Sequence, residues 1–283
     1  MSSFSIMYKK AFKKILTPHG YSLWKSVFYR EVDESVCFFV RAKKVWPLKI
    51  PGAFEIFIDT APYCADLKSN EYDPQENGIK LFDILKIITP EILTEERVKE
   101  YRETRNTANT EETMFNSINN CCDDMENMIL PYVHKFEDLE YYYKEKIKIY
   151  ELDSKKGDVY INYFLYGLSL KLHKYENALP YVEHQLKWHD DVIQHKKSDI
   201  EELGSGNIDH FIQARMKKDK NFFEEYIIAI ETDIVRSEKE MIKFKTIKNA
   251  LLSKDSAFLD RLVEETEKDS LDYIRQLLKT STG

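Results

Sequence analysis

"WKSVFYREVDESVCFFVRAKK", residues 24–44, decides the fold class. Through "WKSVFYREV" the side chains alternate, with Trp24, Ser26, Phe28, Arg30 and Val32 on one side and Val27 and Tyr29 on the other. A period of two belongs to a strand. "SVCFFVRAKK" (35–44) and "AFEIFID" (53–59) continue the pattern, the latter setting Phe54, Ile56 and Ile58 against Glu55, Phe57 and Asp59. Three antiparallel strands make a minimal sheet. Trp24, Phe28, Phe38, Val40, Phe54, Ile56 and Ile58 are expected to face the core, which leaves Tyr29, Phe39 and Phe57 on the other face with Arg41 and Lys43.

The sequence on either side of this stretch reads as helix. In "FSIMYKKAFKKIL" (4–16), Phe4, Met7, Tyr8, Ala11, Phe12, Ile15 and Leu16 recur at helical spacing, and Pro18 and Gly20 stop the run. Past the strands comes a polar loop (61–78), then "IKLFDILKII", short enough to be strand or helix. Helix starts are expected at Thr94 and Thr110, the second leading into a stripe of Met114, Ile118, Cys121 or Cys122, Met125 and Ile129. From about Phe136 every segment is helical. A hairpin is expected to turn near His173-Lys174, a helix of about 48 Å over 221–252 follows at 1.5 Å per residue, and a last helix spans 257–279. The fold class is therefore α+β: an N-terminal helix and small antiparallel sheet, then a predominantly helical region with a long hairpin. The length of 283 residues suits two domains, placed at 1–134 and 135–283.

Composition narrows the function classes. Hydrophobic residues make up 43% of the chain, with 18 Tyr and 16 Phe, which excludes a disordered chain. Eight Gly and eight Pro are too few for an all-β fold rich in tight turns. A net charge of −7 argues against nucleic acid, whose phosphates call for a basic surface. The longest apolar runs are too short to cross a bilayer, so a cytoplasmic protein without a membrane partner is expected. Four cysteines (Cys37, Cys64, Cys121, Cys122) without a Cys-x-x-Cys pair suggest neither a zinc ribbon nor a redox dithiol, and Cys121 and Cys122 are expected to be core thiols.

"FKKILTPHGY" (12–21) and "FYREV" (28–32), through Phe12, Leu16, Pro18, Gly20, Tyr21, Phe28, Tyr29 and Arg30, resemble the bacterial family called domain of unknown function 4304. That resemblance covers roughly the first half of the chain and implies an α+β fold, with no catalytic residues to carry over. The hairpin "DVYINYFLYGLSLKLHKYENALPYVEHQL" resembles one tetratricopeptide-like unit through Gly167, Tyr175 and Ala178, one residue short of that family's spacing, and no second unit follows.

The chemistry-bearing stretch is "YVEHQLKWHDDVIQH" (181–195), with three of the seven histidines. On a helix His189 shares a sector with Ala178, Leu179, Val182, Leu186 and Ile193, so it faces the core. His184, Asp191 and His195 lie on the opposite side. Asp191 and His195 stand one turn apart, but His184 is about 10 Å up the axis and cannot join them on one ion. Asp190 points about 100° from His189. No Gly-x-Ser-x-Gly, Walker loop or His-Glu-x-x-His is present.

These residues favour a non-catalytic protein-interaction module with no cofactor, an immunity-type inhibitor of a toxin being a special case. A metal-dependent hydrolase using the His/Asp helix is the alternative. The expected partner-binding residues are Tyr29, Phe39, Phe57 and Arg41, unless the carboxy-terminal helices cover that face. Another protein is the expected partner. A homo-oligomer built through the long helix, along a seam of Phe223, Ile227, Ile230, Ile234, Met241, Phe244 and Leu251, is a further expectation.

Overall fold

The computed structural model describes residues 3–44, 54–69, 72–75, 78–88, 111–152, 159–205 and 221–279. The fold is α+β. Two compact units divide the chain: residues 1–149 with 264–283, and residues 150–263. The boundary thus falls later than the expected 134/135, and the last residues of the chain belong to the first unit. The reason is local: the buried Tyr142 hydroxyl donates to the Thr60 carbonyl at 2.9 Å, and Ser270 Oγ accepts from the Leu67 amide at 3.0 Å. The Thr94 helix start lies outside the described residues.

In the first unit, α1 (Ser3–Leu16) precedes an antiparallel sheet of β1 (Ser22–Trp24), β2 (Val27–Val32), β3 (Val36–Lys44), β4 (Phe54–Pro62) and β5 (Ile79–Lys80), ordered as in the sequence. Phe28 sits opposite Val40, and Val40 opposite Ile58, so the expected apolar face is formed and buried. α1 lies on it, with the Tyr8 hydroxyl donating to the Val40 carbonyl at 3.2 Å and the Phe4 ring 4.8 Å from Phe54. Gly20 ends the following turn at φ 83°, a left-handed conformation that glycine adopts without a Cβ clash. Phe12, Leu16, Tyr21 and Phe28 are all buried, and Arg30 reaches Glu137 at 2.6 Å.

The single strand expected over 24–32 is a hairpin instead. Lys25 takes φ 52° and breaks the chain into β1 and β2, with Trp24 opposite Val27. Trp24 is buried, but on the second face of the sheet, not beside Phe28. The turn Lys25-Ser26 carries none of the Asn-Gly chemistry that marks a hairpin in a sequence.

The segment expected as a polar loop is also largely interior. After β4, Tyr63, Cys64, Ala65, Leu67 and Tyr72 are buried, and the Tyr63 amide donates to the Ser35 carbonyl at 2.9 Å. "IKLFDILKII" resolves into β5 followed by α2 (Leu81–Ile88). Beyond it, α3 (Glu111–Asp124) passes through a wider turn at Met125–Ile129 into α4 (Leu130–Val133), and α5 (Leu139–Leu152) follows. Ile118, Cys121, Cys122, Met125 and Ile129 form the expected buried stripe. None of the four cysteines forms a disulfide and all are buried, and burial pushes the Cys122 thiol up to about 12.

In the second unit, α6 (Val159–Lys171) and α7 (Tyr175–Gly204) form the hairpin, turning where His173 takes φ 54° and the Lys174 amide meets the Ser169 carbonyl at 2.8 Å. α8 (Phe222–Ser253) runs antiparallel to α7, as Lys248–Glu183 at 2.8 Å and Lys196–Asp233 at 3.2 Å fix from its two ends. Lys254, at φ 57°, breaks the helix, and Asp255 Oδ1 accepts from the Phe258 amide to start α9 (Ser256–Lys279). No helix among the described residues is long and apolar enough to cross a membrane.

Candidate interaction surface

Each candidate surface is decided by what covers it. On the second sheet face, Phe39 and Arg41 are buried, while Tyr29 and Phe57 are partly exposed. The Arg41 guanidinium stacks 4.2 Å over the Phe57 ring, and Tyr72 lies 5.9 Å from Phe39. Residues of α9 that belong to the same unit close over this face. Tyr273 donates to the Tyr72 carbonyl at 3.1 Å, and Arg275 spans Glu31 at 2.6 Å and Glu34 at 2.8 Å. Tyr29, Phe39, Arg41 and Phe57 therefore do not form an open aromatic patch. Phe39 and Arg41 lie in the interior of the unit, and Tyr29 and Phe57 keep part of their surface in solvent.

A cleft beside β4, lined by Asp59, Ile84, Tyr132, Phe136, Tyr142 and Glu145, holds about 20 Å³, the room of one water molecule. Small-molecule sites need at least ten times that space. Glu145, on its rim, accepts from Tyr132 at 3.2 Å and from Lys148 at 2.6 Å.

On α7, His189 and His195 lie as the helical angles predict, but His184, expected on the wet side, is only partly exposed and its Nε2 is buried with no hydrogen-bond partner among the described residues. His189 is buried, with the Trp188 ring edge-on at 4.7 Å and Phe244 stacked at 5.9 Å. Burial first, then the positive charges of Arg236 and Lys243, lower its pKa to about 4, so the ring is neutral at pH 7. Asp190, Asp191 and His195 are exposed, and His195 reaches Asp199 on its own helix, at 3.8 Å. Among the described residues no three of His, Cys, Asp or Glu converge to hold a metal ion. Sequence reasoning missed Gln185, which is fully buried one turn before His189. Neither end of its amide, and neither His189 nitrogen, has a hydrogen-bond partner among the described residues.

The seam expected to join two copies is occupied within the unit. Ile230, Ile234, Ser237, Phe244, Ile247 and Leu251 are buried, and Ile230 and Ile234 share a cluster with Ile193 and Leu203 of α7. What α8 leaves to solvent is its other face. Ile228, Val235 and Ile242 are 60, 49 and 66% exposed, at a spacing of seven residues that keeps them in one row. Thr232 and Thr246 flank the row. Their hydroxyls fold back onto the Ile228 carbonyl at 2.7 Å and the Ile242 carbonyl at 3.0 Å, which satisfies the polar atom within the helix. The seven-residue spacing was present in the sequence, but the stronger buried seam on the same helix masked it.

No family model, no curated protein and no solved structure matches the chain. The surface must be interpreted from its own chemistry.

Proposed function

We propose that the chain is a non-catalytic protein-interaction module that binds its partner through the exposed face of α8. The observation that carries this reading is the row Ile228, Val235 and Ile242: three β-branched apolar side chains exposed in register on a helix that already buries its opposite face. A single exposed apolar residue needs no explanation, but a heptad row with charged flanks is the pattern by which a helix receives another helix. In this reading the first unit is a scaffold of the domain of unknown function 4304 kind. An acidic protein of net charge −7 suits a basic partner, and an immunity-type inhibitor of a basic toxin is the special case that this charge favours. The hydrolase alternative has no converging ligands among the described residues to support it.

The test is site-specific photo-crosslinking in cells that make the protein. A benzophenone side chain replacing Ile242 should yield a protein adduct. The same group replacing exposed Lys254, at the end of the helix, should not. Equal yields at both positions, or none at Ile242, would remove the reading.

A further inference from the structure

We infer that the occupant of the exposed α8 face is a second copy of the same helix, laid antiparallel about a twofold axis near Val235. This rests on the reading of that face as the interaction surface and names its partner. The argument is the distribution of charge that the unit itself leaves uncompensated. Around Ile228 stand Glu224, Glu225 and Glu231, all exposed, and around Ile242 stand Lys239 and Lys245, also exposed. None of these five is held in an ion pair among the described residues. Other charges of the helix are paired within the unit, Asp233 by Lys196 at 3.2 Å, Glu238 by Lys197 at 3.9 Å, Lys243 by Glu240 at 3.8 Å and Lys248 by Glu183 at 2.8 Å, and Arg236 stands exposed beside Val235. The face is therefore acidic at one end and basic at the other, with the apolar row along its middle and Arg236 beside Val235.

Such a face is complementary to itself only when reversed. An antiparallel copy sets Ile228 against Ile242, Val235 against Val235, and the three carboxylates of one copy near the two lysines of the other. A parallel copy sets acid on acid and base on base, which is disfavoured. Isologous twofold contacts are the commonest form of self-association, and they need this property of a surface that fits its own rotated image. Three apolar residues make a short seam, smaller than the roughly 800 Å² per partner of a standard interface, so weak association is expected.

The experiment uses the full chain. Sedimentation equilibrium should give a mean mass that rises from the monomer value at about 1 µM well towards the dimer value at about 200 µM, and Ile228→Glu with Ile242→Glu should hold it at the monomer value. The four native cysteines are buried, so an introduced thiol is the reactive one. Under mild oxidation V235C should crosslink to itself. I228C and I242C should each fail alone and crosslink when mixed. Reversing the acidic end (E224K, E225K, E231K) should weaken association at least tenfold, and adding K239E and K245E should restore it. A monomer at 200 µM, or I228C and I242C each crosslinking alone, would overturn the antiparallel dimer. If the chain stays monomeric while a benzophenone in place of Ile242 captures a different protein, the dimer falls and the interaction-module reading stands. If neither happens, both fall.

Discussion

In the first unit Tyr8, Tyr72 and Tyr142 bring their hydroxyls to a carbonyl or carboxylate elsewhere in the sequence, and in the second Gln185 and His189 sit equally deep with no such partner among the described residues. Trp24 Nε1 is an exception in the first unit. The difference shows what specifies each region. A buried hydrogen bond contributes little net free energy but makes alternatives costly, because any rearrangement strands its donor. The first unit is thus fixed by polar pairing across its layers. In the second, the α7–α8 seam buries Gln185 and His189 with no hydrogen-bond partner among the described residues, and its ion pairs stay partly exposed.

The comparison can be broken most forcefully in the cores. Phe28→Ala in the first unit and Phe244→Ala in the second each remove a fully buried ring, and each should cost about 3–5 kcal/mol in urea unfolding. A loss under about 1 kcal/mol at Phe244 would mean that the α7–α8 seam is not a real core.

Acid should come next. His134, which stacks on Tyr21 and lies edge-on to Phe38, has its pKa lowered to about 4 by burial and then by Arg30, as His189 does in the second unit. Both folded-state values lie below the usual 6.5, so the unfolded chain binds more protons between pH 6.5 and 4. Stability should be constant above about pH 6.5 and fall by about 1–3 kcal/mol per histidine as the pH drops to 4. Unfolding of His189→Leu followed over this range should show about half of that loss. An unchanged pH profile would show that His189 is not the buried neutral ring described here.

Polar deletions sharpen the contrast because they should differ in sign. Burial, then Asp59 beside it, holds the Tyr72 phenol well above its usual range, so it stays protonated and donates to Asp59 at 2.5 Å. Tyr72→Phe leaves that carboxylate short of a donor and should cost about 1–3 kcal/mol. Gln185→Leu removes an unpaired amide from an apolar seam and should stabilise the second unit by about 1 kcal/mol. Thermal melts of the two variants decide it: loss of stability in both would mean that the two units treat buried polarity alike. The smallest effect belongs to Arg275→Ala. Its guanidinium holds two carboxylates but is 39% exposed, so the expected cost is at most about 1 kcal/mol, shrinking in 0.5 M salt.

Much of the fold was legible because its periodicities are clean. The bounds of α1, α8 and α9, the His173 turn and the inward aim of His189 follow from counting residues at 100° and 180° intervals. The Lys25 turn was not legible, since a lysine at positive φ has no sequence signature. Nor was the burial of the segment after β4, whose tyrosines alternate with Asp, Asn and Gly-type loop residues and whose cover comes from α9, some 200 residues away. The same long-range cover explains why Phe39 and Arg41 looked like a docking surface: alternation shows that a side chain leaves the first face, but not what meets it on the second. Gln185 escaped because a glutamine on an apolar sector reads as a boundary residue. The exposed row on α8 was half-legible, its spacing visible and its exposure not.

Equilibrium urea unfolding of Ile242→Glu at about 0.5 µM protein most directly tests whether α8 keeps one face for folding and the other for partners. The wild-type free energy should be retained within about 0.5 kcal/mol, since the side chain already stands in water. A loss of 2 kcal/mol or more would place Ile242 in the folded core and leave the proposed interaction surface without a basis.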